Sequence, residues 1–228
     1  VWLLLLELPH GALVTAIGVA FLPSEEDSAL NAWHVLSGWV VAVLLVFRIA
    51  WGFVGGEHSR FADFIRPSRI GHHISGLVGG RRESSLGHNP LGAVAVIVLL
   101  ALAGVVVWSG AFGGHAAEEL HEIIAWTLLA FVGVHVAAVI VMSRLERENL
   151  ARAMVTGRKP ADRHPGASDA RRPSAVGIAL AALVVAGTVY AIVRYDPQAF
   201  TPRSAESFEH RGDAGGPPAY GERERDDD

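Results

Sequence analysis

Residues 118–143 constrain the fold of this chain more than any other stretch. They read EELHEIIAWTLLAFVGVHVAAVIVMS, a nearly uninterrupted apolar run that is long enough to cross a bilayer as one helix. The run contains two histidines, His121 and His135, which are fourteen residues apart. At about 100° and about 1.5 Å per residue, both imidazoles project from one helix face, roughly 21 Å apart along the axis. Because ionisable side chains are costly inside a membrane, a functional role is the first hypothesis for both.

The chain contains five apolar segments, each long enough to span a hydrocarbon core of about 30 Å. They cover residues 2–22, 32–54, 90–112, 118–143 and 174–194. A chain of 228 residues that is 51% hydrophobic and 18% charged has the composition of a small integral membrane protein. It contains no cysteine, which excludes disulfides, thiolate iron–sulfur ligation and thioether-linked haem.

The charges of the connecting loops predict the orientation of these segments. Loops 23–31 and 113–117 contain no Lys or Arg, whereas loop 55–89 has five arginines and loop 144–173 has eight basic residues. Basic loops face the cytoplasm, so we expect a cytoplasmic N-terminus. The acidic tail, 195–228, is then expected outside, where its composition predicts a disordered segment.

Four histidines lie within the spans, and this orientation sorts them into two pairs by depth. His34 and His121 each lie three residues into a span that begins on the outer side, about 5 Å deep. His10 and His135 lie roughly 18 Å and 25 Å from the same surface. A proline and a glycine flank His10 and predict a kink, which would bring this second pair to a similar depth.

Two neutral imidazoles from opposed helices are suitable axial ligands for a haem iron. Gly38, one turn after His34, and Ala125, one turn after His121, offer small surfaces beside a porphyrin. Zinc would need further ligands, which the sequence does not supply at either depth. A single histidine could instead form a hydrogen bond between helices, but four histidines in two pairs favour two metal centres. Arg48 either neutralises a propionate of the inner haem or extends to the lipid headgroups.

Six stretches of the sequence carry a resemblance to a known family. They are ELPHGALV, WHVLSGW, FRIAWGFVGGEHSRFADF, GHNPLGA, EELHEIIAWTLLAFVGVHV and ENLARAMVTGRK, and they cover roughly residues 7–160. The combination of RFADF, GHNPLGA and an HE pair with a second histidine 14 residues later is specific. On these motifs the chain resembles the bacterial cytochrome b561 and nickel–iron hydrogenase b-type cytochrome family of dihaem membrane proteins.

The resemblance implies an all-α fold, a transmembrane four-helix bundle that binds two b haems. The axial histidines that it implies are His10, His34, His121 and His135, the same four residues that the depths select and sort into the pairs His34–His121 and His10–His135. A fifth, C-terminal transmembrane helix lies outside the shared core. We therefore expect a dihaem cytochrome b domain at 1–160, a cytoplasmic linker at 161–173, an extra transmembrane helix at 174–194 and an outer tail at 195–228.

The resemblance also implies a function, which is transmembrane electron transfer in the bacterial inner (cytoplasmic) membrane. Electrons would pass between a partner dehydrogenase, hydrogenase or quinol and the quinone pool or another carrier. The chain would thus be an electron-transfer subunit or a small quinone oxidoreductase. A bound quinone and a homodimer are both compatible with this expectation. Nucleic acid is not an expected partner. The alternatives are a non-redox helical membrane protein, such as a transporter or assembly factor, and a stand-alone quinol:superoxide oxidoreductase.

Overall fold

The computed structural model of the chain is all-helical where it is described. It describes residues 4–22, 31–56, 59–64, 90–145, 152 and 173–202. The helices are α1 (Leu4–Ala20), α2 (Asn31–Val54), α3 (Phe61–Phe64), α4 (Pro90–Phe112), α5 (Glu118–Leu145) and α6 (Ala175–Tyr195), with a 3₁₀ turn (His115–Ala117) before α5. No strand occurs in these ranges, and the predicted all-α fold is confirmed.

Four of the helices are long and apolar enough to cross a membrane. These portions are Trp33–Val54, Gly92–Phe112, Glu118–Leu145 and Ala175–Tyr195. The first predicted span corresponds to α1, which has 17 residues and a length of about 25 Å, and whose apolar portion Leu8–Ala20 is shorter than the other four. The helix is continuous across Pro9, which lies inside it.

The long helices form two hairpins, α1 with α2 and α4 with α5, and α2 provides the contact between them. Helix α1 packs on α2 and α4 packs on α5, while α2 also packs on α6 and, over a smaller surface, on α4. Helix α6 is antiparallel to α2, because Gly177 near its start lies against the carbonyl of Val54 at the end of α2, while the Tyr195 ring at its end lies 6.1 Å from the ring of Trp39 near the start of α2. We call the end of the bundle that carries His34 and Tyr195 the outer end, after the orientation that the loop charges predict.

An apolar layer fills the middle of the bundle between the two levels of histidines. Leu45 of α2, Ala103 of α4 and Leu128 of α5 are buried against one another. Leu128 lies seven residues from both His121 and His135, so it is about 10 Å along the axis from each. Packed hydrocarbon therefore lies midway between His121 and His135.

The fifth span forms α6, whose start is capped by Ser174: its Oγ accepts a hydrogen bond of 3.0 Å from the amide of Gly177. The structured region continues beyond the predicted boundary at 194, because residues 196–202 turn back onto α2. Ala199 in this turn is 1% exposed and packs in one cluster with Trp39. The linker at 161–172 and the tail at 203–228 lie outside the described residues.

Candidate functional site

The outer end of the bundle brings His34 of α2 and His121 of α5 together. Their ring centroids are 5.9 Å apart and their planes are inclined by 76°. Two metal–imidazole bonds of about 2 Å on opposite sides of one ion would separate ring centroids by about 6 Å. The pair is thus spaced as two axial ligands of one metal ion would be.

Hydrogen bonds fix the orientation of both rings. Nδ1 of His34 lies 2.8 Å from the carbonyl oxygen of Ala20, which ends α1. Nδ1 of His121 lies 3.0 Å from the carbonyl oxygen of Val106. Because a carbonyl oxygen can only accept, each Nδ1 donates its proton there, which leaves Nε2 as the nitrogen that can bind a metal ion. Metal-ligating histidines usually donate their second N–H to a carbonyl or carboxylate in this way.

Two residues of α4 that the sequence analysis did not select also contact His121. Ser109 is 2% exposed, donates its hydroxyl to the Val106 carbonyl at 3.0 Å, and has its Oγ 3.2 Å from Nδ1 of His121. A Cβ on Gly110 would lie 2.8 Å from Cε1 of the same ring. Their signal in the sequence is weak: both are small residues at the depth of His121, but depth alone does not show which face of α4 they occupy.

Replacing Gly110 by Ala is expected to displace the imidazole of His121, because the new methyl group would overlap the ring. The matched control is Gly104→Ala on the same helix, where the new Cβ would lie 3.8 Å from the nearest atom of Leu45. Removing a helix-interior glycine there should instead stabilise the protein by up to about 1 kcal/mol. The measurement is the spectrum of bound metal cofactor in both variants, with thermal unfolding as the stability readout. Equal spectra for Gly110→Ala and Gly104→Ala would contradict this prediction.

The second level, in the inner half of the bundle, contains His10, His135 and Arg48. His10 of α1 lies close enough to both His135 of α5 and Arg48 of α2 for direct charge–charge interaction. The predicted second pair, His10 and His135, thus has Arg48 as a cationic neighbour of His10. Helix α1 accommodates this arrangement without interruption across Pro9.

Arg48 has an unusual environment within the described part of the chain. Its Nη1 is buried there without a hydrogen-bond partner, and its guanidinium carbon lies 5.5 Å from the ring centroid of Phe61. Leaving a buried charged donor unsatisfied is costly, so an anionic group is expected beside it. A carboxylate such as a haem propionate fits this position.

The short helix α3 holds Phe61 in place over the end of α2. The Phe61 ring lies directly against Gly52, where any side chain would overlap it, and its centroid is 5.4 Å from that of Phe53. Arg60 is engaged elsewhere, because its Nε donates to the carbonyl of Gly55 at 2.7 Å. Of the two neighbouring arginines, Arg48 is thus the one with a buried nitrogen still available to a ligand.

Open space adjoins the helices that carry the histidines. A Cβ on Gly38 would meet no atom within 4 Å, and the same holds for Gly11 and Gly133. Gly38 lies one turn after His34 and therefore on the same face of α2. A flat macrocycle beside His34 needs such space.

The donor set also fits a haem better than a bare metal ion. Within the described ranges, no group of three or more His, Cys, Asp or Glu side chains could hold a metal ion. Pairs of imidazoles suit an iron whose other four ligands come from a porphyrin. The paired rings, the protonated Nδ1 atoms and the unpaired nitrogen of Arg48 are the features that fit this group.

Comparison with known proteins agrees with this chemistry. The family model described as prokaryotic cytochrome b561 matches residues 3–157. The chain belongs to this family. Membership implies b-type haem as the cofactor, and the matched region contains all four histidines and Arg48.

The named relatives are distant in sequence, and the chain matches only part of their length. The chain is 25% identical over 159 residues to a probable Ni/Fe-hydrogenase B-type cytochrome subunit of Bradyrhizobium diazoefficiens, covering 55% of this chain and 64% of that protein. It is 30% identical over 132 residues to a putative protein-methionine-sulfoxide reductase subunit YedZ1 of Azospira oryzae, covering 49% and 65%. The chain thus spans a little under two thirds of the length of these relatives. No solved structure matches it.

Proposed function

We propose that the chain transfers electrons across the bacterial inner membrane through two b haems. One haem would be held by His34 and His121, and the other by His10 and His135. The observation that carries the proposal is the outer pair, whose rings are 5.9 Å apart with each Nδ1 at a backbone carbonyl. Haem iron, when bound at these levels, supplies reversible one-electron redox chemistry.

The residues of the chain determine which chemistry this would be. Two histidines at each level would occupy both axial positions, which favours electron transfer over oxygen binding. Arg48 would hold a propionate of the inner haem with its buried Nη1. The apolar layer around Leu128 keeps water and protons out of the region between the levels, so electrons can cross without a polar path for ions.

The names of the relatives support a partner enzyme. One is named as a subunit of a nickel–iron hydrogenase and another as a subunit of a protein-methionine-sulfoxide reductase. By analogy, this chain would be the membrane subunit that exchanges electrons between such an enzyme and the quinone pool. A hydrogenase would donate electrons to the chain and a reductase would accept them from it, so the direction of electron flow distinguishes the two partners.

The purified protein is expected to show the spectrum of b-type haem. A dithionite-reduced minus oxidised difference spectrum should contain an α band at about 560 nm. The haem-to-protein ratio should approach two, because the two histidine levels are equivalent in ligand chemistry. A flat spectrum after expression with sufficient haem would favour the non-redox alternative, and a ratio of one would remove the second site from the proposal.

A further inference from the structure

Helix α6 lies outside the region that the family model matches, yet its C-terminal end packs close to the outer histidines. We propose that residues 195–200 form a clamp that holds α2 and α4 in the register required for His34 and His121 to bind one haem. We call these residues the outer clamp. The inference rests on the proposed function, and it assigns the fifth helix a role in positioning the outer haem.

The outer clamp binds α2 through a buried hydrogen bond. Nε1 of Trp39 donates to Oδ2 of Asp196 at 3.0 Å, and both residues are 8% exposed. Hydrogen bonds to a carboxylate are among the stronger ones in proteins, especially away from water. The other carboxylate oxygen accepts from the amide of Gln198 at 3.2 Å, which fixes the turn after α6. Trp39 lies five residues after His34, so the outer clamp contacts the segment of α2 that carries this histidine.

The outer clamp also binds α4. The hydroxyl of Tyr195 donates to the carbonyl of Ala111 at 3.1 Å. The Tyr195 ring lies 5.2 Å from that of Phe112 and 6.1 Å from that of Trp39, so three rings from three helices meet at one point. Ala111 follows Gly110, the residue against which His121 packs. A short series of contacts therefore connects Tyr195 to the ligand on α5.

The architecture of the bundle explains why such a clamp is needed. His34 belongs to the hairpin of α1 and α2, whereas His121 belongs to the hairpin of α4 and α5. The two hairpins pack on each other over a smaller surface than the helices within each hairpin. Ligand pairs need placement within about 0.5 Å, so a contact that bridges the hairpins near the site would set the ligand separation. The outer clamp bridges them, since Trp39 is on the first hairpin and Ala111 and Phe112 are on the second.

The test uses the full-length, haem-loaded protein with Tyr195→Phe and Asp196→Ala. The matched controls are Tyr190→Phe, on a 69% exposed residue of the same helix, and Gln198→Ala, which leaves the backbone bond to Asp196 in place. Electron paramagnetic resonance spectra and redox titrations should show a change at the outer haem alone. Tyr195→Phe loses one hydrogen bond and should weaken retention of the outer haem by about tenfold at most. Asp196→Asn keeps an acceptor for Trp39 and should restore most of what Asp196→Ala loses.

A haem-free measurement separates this inference from the proposed function. The chain has no cysteine, so Trp33→Cys and Ile123→Cys introduce a unique pair of spin-label sites, one residue from His34 and two residues from His121. In the protein without haem, Asp196→Ala should broaden the distribution of distances between these labels, whereas Gln198→Ala should leave it unchanged. If the clamp variants kept both haems and the same distribution of label distances as the unmodified protein, this inference alone would be overturned. Unmodified protein with no haem at the outer level would overturn the proposed function itself.

Discussion

Purified His121→Ala protein is expected to hold one haem where the unmodified chain holds two. Of the proposed ligand pair at the outer level, only His34 would be left. The inner haem should remain, since Leu128 and its neighbours separate the two levels. The measurement is the haem-to-protein ratio together with the reduced-minus-oxidised spectrum.

His135→Ala is the matched partner of this experiment, because it removes the other histidine of the same helix. The two variants should lose different spectral components, and added imidazole should partly restore the component that His121→Ala loses. Loss of one and the same component in both variants would show that the two-level assignment is wrong. Since either loss would interrupt the series of haems, both variants should also fail to reduce ferricyanide trapped inside liposomes when a reductant is added outside.

The common depth of His34 and His121 in the membrane could be predicted from two quantities, the rise of an α-helix per residue and the charge of the loops. The rise of an α-helix is fixed, and the loop charges gave the direction of each span. His34 and His121 are each three residues from a helix start on the same side, and the structure places their rings in contact. Helix bounds were predicted to within a few residues for the same reason: apolar length determines them.

What the sequence could not supply is the rotation of each helix about its axis. Gly110 and Phe61 were not selected as site residues, because their roles depend on which face of α4 meets α5 and on how α3 folds back over α2. Composition alone also could not show the contacts that residues just after α6 make with α2. Asp196 looks like the first of many acidic tail residues, but its carboxylate accepts a buried hydrogen bond from Trp39 in the folded bundle.

Arg48→Leu is expected to lower the midpoint potential of the inner haem and to weaken its binding. A positive charge near an iron favours the reduced state, which carries one positive charge fewer, so removing that charge favours the oxidised state. Each tenfold change in the redox equilibrium corresponds to about 59 mV for one electron. Removing one partner of a buried ion pair costs about 3–5 kcal/mol, which sets the scale for the loss in haem affinity.

Three controls make the Arg48 experiment specific. Arg48→Lys keeps the charge but not the forked donor geometry, so it should retain much of the potential and less of the affinity. Arg60→Gln removes a neighbouring exposed arginine together with its hydrogen bond to the Gly55 carbonyl, and should lower stability by about 0.5–1.5 kcal/mol. The outer haem, which lies beyond the apolar layer, should keep its potential in all three variants. If Arg48→Leu and Arg60→Gln shifted the inner haem equally, Arg48 would be an ordinary headgroup contact, and its buried Nη1 would need another ligand.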